Sequence, residues 1–564
     1  MTHTADPVHP VVERPLPAQA APVEPASAQP APAHPAPAPL APRAAPGRWK
    51  RHRVPLLATL PMLVLYAVWW ACLATGGGDL AAQEAWAEFT AQNGGSAYNL
   101  SWYGGMHTAN YSLLSPYLMA AVGVRTVTVV SGIAATWLAA VLITRTGIRR
   151  PLGPALLAAF ALWCNVASGR TTFALGVALG LAACLLLARE RRLVLAGAYA
   201  ALATMASPVA GLFLAVMGAA FLLVRDWRRA LALLVPPAGV VATTTLLFPF
   251  TGEQLMPADR IWAPASLGLA VTVLAPRGWR VARRIGAVYA AGTVLVYLIP
   301  SPIGTNIERL AALFAPAALL AALLSTPRPA RRSRGLLIAA LVFSVGWVGV
   351  KTISDLRVSA AVPAWAADTH GVVRALDGLG ADRTRVEAVP ARDHREATAL
   401  APHVSLARGW NRQLDMERDR LFYDGTFSAT TYRTWLDRWA VGYVVLPLAE
   451  PDGYAEDEAR LVREHRPDWL EPVWQDAHWR VYRVRDAVPL VSAPASVVRT
   501  TSAEVDVHVP ASGSATLRVA YSPWLRVDGG CLAPDGEFTR LTVARPGAYR
   551  IGSQYAASPA PDHC

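Results

Sequence analysis

Long apolar stretches alternate with short polar connections from residue 54 to residue 353, and every second connection is crowded with arginine. The basic connections are Arg48–Arg53, Arg145–Arg150, Arg189–Arg192, Arg225–Arg229, Arg277–Arg284 and Arg328–Arg334. The apolar stretches predict about eleven transmembrane helices. They run approximately Val54–Thr75, Thr126–Thr144, Leu152–Cys164, Thr172–Ala188, Leu193–Ser207, Val209–Val224, Ala230–Phe248, Trp262–Ala275, Ile285–Pro300, Leu310–Ser325 and Leu336–Ile353. Several fall short of the ~20 residues that cross a bilayer upright, so soft ends and broken helices are expected. Cytoplasmic connections retain positive charge and translocated ones shed it. The alternation therefore predicts a plasma-membrane protein with a cytoplasmic N-terminus and an extracytoplasmic C-terminal region.

The pattern changes at both ends. Residues 1–46 are a Pro/Ala tract with few large apolar side chains, which predicts a disordered cytoplasmic tail. The membrane region, residues 47–353, holds one long external loop, 76–124. That loop opens with Ala81–Asn93, where Ala82, Ala85, Trp86 and Phe89 share a helical face and Glu84 and Glu88 share another, predicting a helix on the membrane surface. Tyr98, Trp102, Tyr103, Tyr111 and Tyr117 follow, as expected at a headgroup boundary. Beyond residue 353 soluble alternation takes over. Val441–Pro447 reads as a buried strand, and Val473–Val484 as a hairpin turning near Asp476-Ala477. After Pro489 come AEVDVHV, TLRVAYS, TRLTVA and YRIGS, runs of period two split by turn residues. The expected organisation is an extracytoplasmic α/β unit, 354–488, and a small β sandwich, 489–564.

Composition excludes several classes. With 53% hydrophobic and 16% charged residues the chain is too apolar for an ordinary soluble enzyme. The net charge of +13 resides largely in arginines of the predicted cytoplasmic turns, where anionic headgroups are the natural neighbours, so the bilayer is the expected partner and nucleic acid is not. Lys50 and Lys351 are the only lysines. Of the five cysteines, Cys72, Cys164 and Cys184 fall in predicted spans, while Cys531 and Cys564 fall in the external region, where an oxidising compartment permits a bridge.

Charged groups near one set of span ends are the candidates for chemistry, because charge at membrane depth is costly. Asp79, in GGGDLAAQ at the exit of the first span, reads equally as a functional acid and as an N-cap of the following helix. Arg309, after Gly304-Thr305-Asn306, begins a span where a guanidinium can grip a phosphate, or can simply pair with Glu308. Arg170 and Arg260 carry the same two readings, and Glu84, Asp259 and Glu308 are further acids on this side. There is no GxxxxGK[ST] or GxGxxG loop, no GxSxG elbow and no HExxH; the external histidines lack ligand spacing, and no metal site is expected.

This layout resembles the polyprenyl-phosphate-dependent membrane glycosyltransferases of the C-type fold. The resemblance rests on Asp79 in the first external loop, the helix Ala81–Asn93, the many spans and the C-terminal external region. It is architectural and covers about Val54 to the end. ARGWNRQLD (407–415) and YSPWLRVDGG (521–530) look like segments of large actinobacterial-type membrane proteins. Family members often carry paired acids in that loop. Here Leu80 follows Asp79, so a divalent cation is not carried over as a certain cofactor. The resemblance implies transfer of a sugar from a polyprenyl-phosphate donor to an envelope glycan acceptor, with inversion. Asp79 would be the general base, and Arg309 would meet the leaving phosphate with Asn306, Arg170 or Arg260. A transporter or flippase is the main rival reading, and a non-catalytic polymer-binding envelope protein the second.

Overall fold

The computed structural model describes residues 48–188, 190–325 and 331–555. The expected disordered tail, residues 1–46, lies outside the described residues, as do Arg189, Arg328 and Cys564.

Each apolar stretch forms a helix: α1 (Arg48–Val68, continued by a wider turn over Trp69–Leu73), α4 (Val124–Arg145), α5 (Leu152–Ala167), α6 (Thr171–Leu187), α7 (Leu193–Ala206), α8 (Pro208–Leu223), α9 (Trp227–Leu247), α10 (Trp262–Leu274), α11 (Arg280–Leu298), α12 (Glu308–Ser325) and α13 (Arg331–Ser359). Two more, α2 (Asp79–Asn93) and α3 (Ser115–Val122), lie in the long loop. Among the described residues six helices are long and apolar enough to cross a membrane: His52–Leu73, α4, α9, α11, Gly304–Ser325 and α13. The other helices of the series fall short of that length, and length alone does not establish the roughly eleven crossings that the sequence pattern predicts. Part of the shortfall is local chemistry. Ser207 leaves helical geometry and Pro208, which has no N–H to donate, starts α8, so α7 and α8 form as two short pieces. Ala135, Ala158, Ala183, Ala196, Ala200 and Ala203 are buried between helices, small enough to let backbones approach closely.

α13 runs past its expected end at Ile353 to Ser359. Charge at Asp355 and Arg357 marks the edge of an apolar run without stopping a helix, and Asp355 finds a partner across the bundle.

The C-terminal region contains two β assemblies. β3 (Arg385–Ala388), β4 (Ser405–Leu406), β5 (Val441–Pro447), β6 (Leu470–Gln475) and β7 (Trp479–Val484) form a sheet in the order β4-β3-β5-β7-β6. β5 occupies Val441–Pro447 as expected and is buried along its length, because it is the middle strand. The β6–β7 hairpin turns at Asp476, whose carboxylate accepts from the amides of His478 and Trp479, both at 2.7 Å. The second assembly stacks a three-stranded sheet, β10 (Gly513–Ala520), β13 (Phe538–Val543) and β12 (Gly530–Asp535), against a four-stranded one. The latter holds β11 (Leu525–Val527), β14 (Gly547–Ser553), β9 (Val505–Val509) and β8 (Ser496–Thr500).

The long loop departs from expectation. Tyr98, Trp102 and Tyr103 are not at a bilayer surface but buried in the C-terminal region. Tyr98 belongs to a small hairpin, β1 (Tyr98–Asn99) and β2 (Met106–His107), and Trp102 and Tyr103 lie in its connecting loop. Main-chain bonds draw the loop in: Leu100 N–H to Ser502 O at 2.7 Å and Leu406 N–H to Ser101 O at 2.7 Å. The Tyr98 hydroxyl donates to Ala520 O at 2.9 Å. α2 is covered on two sides. Ala82 and Trp86 pack into the α/β core, while Leu80 and Ala87 pack against Tyr66 and Trp69 of the first helix. A helix with two apolar sides is more stable between two bodies than on one surface.

Candidate functional site

Four helix ends meet beneath the C-terminal region: the start of α2, the α5–α6 turn, the start of α12 and the end of α13. The basic connections sit at the opposite ends of α5, α6, α12 and α13.

Asp79 is the first residue of α2. Gly78 is the N-cap and no side chain caps the helix, so Asp79 is not the cap. Its Oδ2 accepts from Arg170 Nε at 3.1 Å, and Arg309 Nη2 stands 3.9 Å away. Arg170 reaches a second acid through Nη2, Asp355 Oδ2, at 2.9 Å. The same Asp355 oxygen accepts from Ser168 Oγ at 2.7 Å. One planar guanidinium thus holds two carboxylates that come from the exit of the first apolar helix and the end of the last. The turn that presents Arg170 depends on Gly169, at φ +74, where a Cβ would lie 2.7 Å from Leu80 Cγ. Arg309 rests over the Phe173 ring, 5.2 Å from its centroid, with only 14% of its side chain exposed. Beside it Glu308, 2% exposed, takes Lys351 Nζ at 2.7 Å. Asp79, Asp355 and Glu308 against Arg170, Arg309 and Lys351 leave the cluster formally neutral. Asp79 keeps 34% of its side chain open, and its Oδ1 accepts no hydrogen bond from the described residues.

The C-terminal region holds this arrangement from above. Arg395 donates to the Thr75 carbonyl, to Thr75 Oγ1 at 2.7 Å, to Ser359 O at 2.9 Å and to Ala361 O at 3.1 Å, and pairs with Asp393 at 2.9 Å. It fastens the exits of the first and last helices together. A Cβ on Gly77 would sit 2.7 Å from its Nη2, so the glycine makes room for the guanidinium. Gly78 N–H donates to Asp393 O at 2.8 Å, and the Trp410 indole donates to Gly78 O at 3.0 Å. Trp410 is itself stacked on His394, ring centroids 3.5 Å apart.

Sequence reasoning raised Asp79, Arg170, Arg309 and Glu308 separately; the structure brings them together. Asn306 does not join them: its Nδ2 donates to Gln254 Oε1 at 3.0 Å, in an amide network that also takes Thr305 and Gln413. Arg260 pairs with Asp259 at 3.8 Å, both side chains more than half exposed. Glu84 is half-buried beside the Gly76 turn rather than on a solvated face. Burial lifts its carboxyl above the ordinary range, against the pull of Arg125 and Arg395. The residues missed are Asp355, Lys351, Arg395 and Trp410. Lys351 and Asp355, one turn apart at the close of an apolar run that starts at Leu336, were the readable signal, since such charges need partners. Among the described residues no group of three or more His, Cys, Asp or Glu side chains is placed to hold a metal ion. The expected Cys531–Cys564 bridge involves a residue outside those described; Cys72, Cys164 and Cys184 are free.

Fold and site together describe a multi-helix membrane protein with an ion-paired cluster under a C-terminal α/β and β region. Residues 492–531 match the model of a domain of unknown function, DUF8823. No curated protein matches the chain in sequence. Among solved structures it is similar to the oligosaccharyltransferase of Archaeoglobus fulgidus tethered to an acceptor peptide. That likeness has 11% identity and a TM-score of 0.42, over 71% of this chain and 69% of the other. It is also similar to the mycobacterial arabinofuranosyltransferase AftD, at 15% identity and a TM-score of 0.42, over 84% of this chain and 42% of AftD. A third likeness is to the A. fulgidus oligosaccharyltransferase AglB in complex with an inhibitory peptide and a dolichol-phosphate: 11% identity, TM-score 0.41, over 71% and 70% of the two chains.

Proposed function

We propose that this protein is a membrane glycosyltransferase that takes a sugar from a polyprenyl-phosphate donor and passes it, with inversion, to an envelope glycan on the extracytoplasmic face. The observation that carries the reading is the Asp79 carboxylate, gripped on one oxygen by Arg170, unengaged on the other, with Arg309 beside it. An acceptor hydroxyl gives its proton to Asp79 Oδ1 as its oxygen attacks the anomeric carbon. The bond from that carbon to the phosphate oxygen breaks, and the electron pair leaves with the polyprenyl phosphate. Arg309, fixed over Phe173, meets the charge that develops there; a planar fork suits a phosphate better than lysine does. Arg170 holds Asp79 against Asp355 and keeps the carboxylate aimed.

Loss of a general base costs about 10²–10⁴-fold in rate. Asp79→Asn is expected to reduce transfer from a polyprenyl-phosphate sugar by that factor with protein abundance unchanged, and Arg309→Lys to weaken donor use. Full activity in Asp79→Asn would leave the cluster a structural ion-pair network and remove the reading.

A further inference from the structure

A second feature lies away from the charged cluster. Where α2 ends, the loop before α3, the last residue before the 249–261 connection and the end of the β sandwich enclose a cavity of about 290 Å³. Its walls are Ala109, Leu113, Pro116, Tyr117, Phe248 and Tyr555. Thr90, which also borders it, is eleven residues beyond Asp79 on α2, roughly 16 Å along the helix axis. The cavity is therefore separate from the site proposed for transfer.

We propose that this cavity binds one acyl chain of a bilayer lipid and that the lipid cements the β sandwich to the membrane helices. Three observations lead there. First, the walls are mainly apolar, with hydroxyls from Thr90, Thr108 and Ser112 among them, and an empty apolar space forfeits packing contacts that an acyl chain would restore. Second, the cavity continues a lipid-facing surface. Tyr117, Leu118 and Val122 on α3 are 44%, 43% and 55% exposed, and Leu246 and Leu247 at the end of α9 are 82% and 43% exposed. α9 is itself long and apolar enough to cross a membrane. Third, the hydroxyls gather at the edge. Tyr555 OH and Thr108 Oγ1 are 2.9 Å apart, and Tyr117 OH donates to Gly94 O at 3.4 Å, the amphipathic arrangement expected at headgroup level. The lipid would lie against the joint between the two regions. There Trp524 stacks on Phe248 with centroids 5.0 Å apart, and its indole donates to Leu247 O at 2.7 Å.

The test uses the full chain in nanodiscs of phosphatidylethanolamine and phosphatidylglycerol containing a phospholipid with a photoactivatable diazirine on its acyl chain. Adducts are mapped by peptide mass spectrometry. Labelling is expected on peptides covering 108–117 and Phe248. Ala109→Phe, which fills the cavity, should reduce it about tenfold; Leu113→Ala, which enlarges it, should leave it equal or higher. Asp79→Asn should not change it, so the outcome is independent of the transferase reading. Equal labelling in Ala109→Phe, loss of labelling in Leu113→Ala, or adducts confined to exposed helix faces would overturn the proposal. So would labelling that appears only after residues 556–564 are deleted, because the tail would then be the occupant.

Discussion

His107, on β2, packs edge-on to Tyr98 at 4.8 Å and against Phe248 at 5.4 Å, and its Nε2 lies 3.4 Å from Ser522 Oγ. Burial, with the charge of Arg418 adding and a bond to the Ala97 backbone opposing, lowers its pKa to about 4. An unfolded chain takes up this proton near 6.5 and the folded one only near 4. The stability that the neutral imidazole contributes is thus whole above pH 6.5 and is lost as pH falls to 4, about 3 kcal/mol in all. Thermal unfolding of the solubilised protein should show this loss, and His107→Phe should flatten it; an unchanged slope in the variant would assign the effect elsewhere. At this scale the sequence exposes types but not pairings. Asp79, Arg170 and Arg309 could be singled out as costly charges near helix ends, whereas Asp355 could not be matched to an arginine 185 residues earlier.

Between elements, α12 and α13 are joined by apolar packing and by one buried charge couple. Lys351 Nζ meets Glu308 at 2.7 Å, and Glu308 is almost wholly enclosed. Removing one partner leaves an uncompensated charge, which costs about 3–5 kcal/mol, while removing both can be nearly neutral. Lys351→Met should therefore destabilise the solubilised protein strongly, and Glu308→Gln combined with Lys351→Met should recover most of the loss. Additive losses in the double variant would show that the two do not act as a couple. The helices were legible because an apolar run declares itself residue by residue. The setting of α2 was not: Ala82 and Trp86 mark one apolar side, but only the folded chain reveals that Leu80 and Ala87 are covered too.

For the whole molecule, the arginine-rich connections predict orientation. Fusions of a compartment reporter after Arg150 and after Pro489 should report opposite sides of the membrane. The same side for both would reverse the assignment of the Asp79 cluster to the extracytoplasmic face. The terminal strands were readable from period-two runs, since each has one buried face. The insertion of Tyr98, Trp102 and Tyr103 into the C-terminal region was not, because aromatic residues after a membrane helix suit a bilayer boundary just as well.

The Arg395 staple gives the chain a clock. Thr75, which it fastens, is 320 residues older than Arg395 on an emerging polypeptide. At ~5–20 residues per second, ribosomal synthesis needs roughly 15–65 s to cover that distance. α13 ends at Ser359, so for most of that interval the later helices are still being made, and until its end the exits of the first and last helices share only the direct bond from Thr75 Oγ1 to Ser359 O at 2.6 Å. Asp79, Arg170 and Asp355 are all made before the C-terminal residues Arg395, Asp393 and Trp410 that bond to Ser359 and Gly78 beside them. A nascent or truncated chain would thus carry the charged residues without those bonds, and competence would arrive late, as the last act of biogenesis.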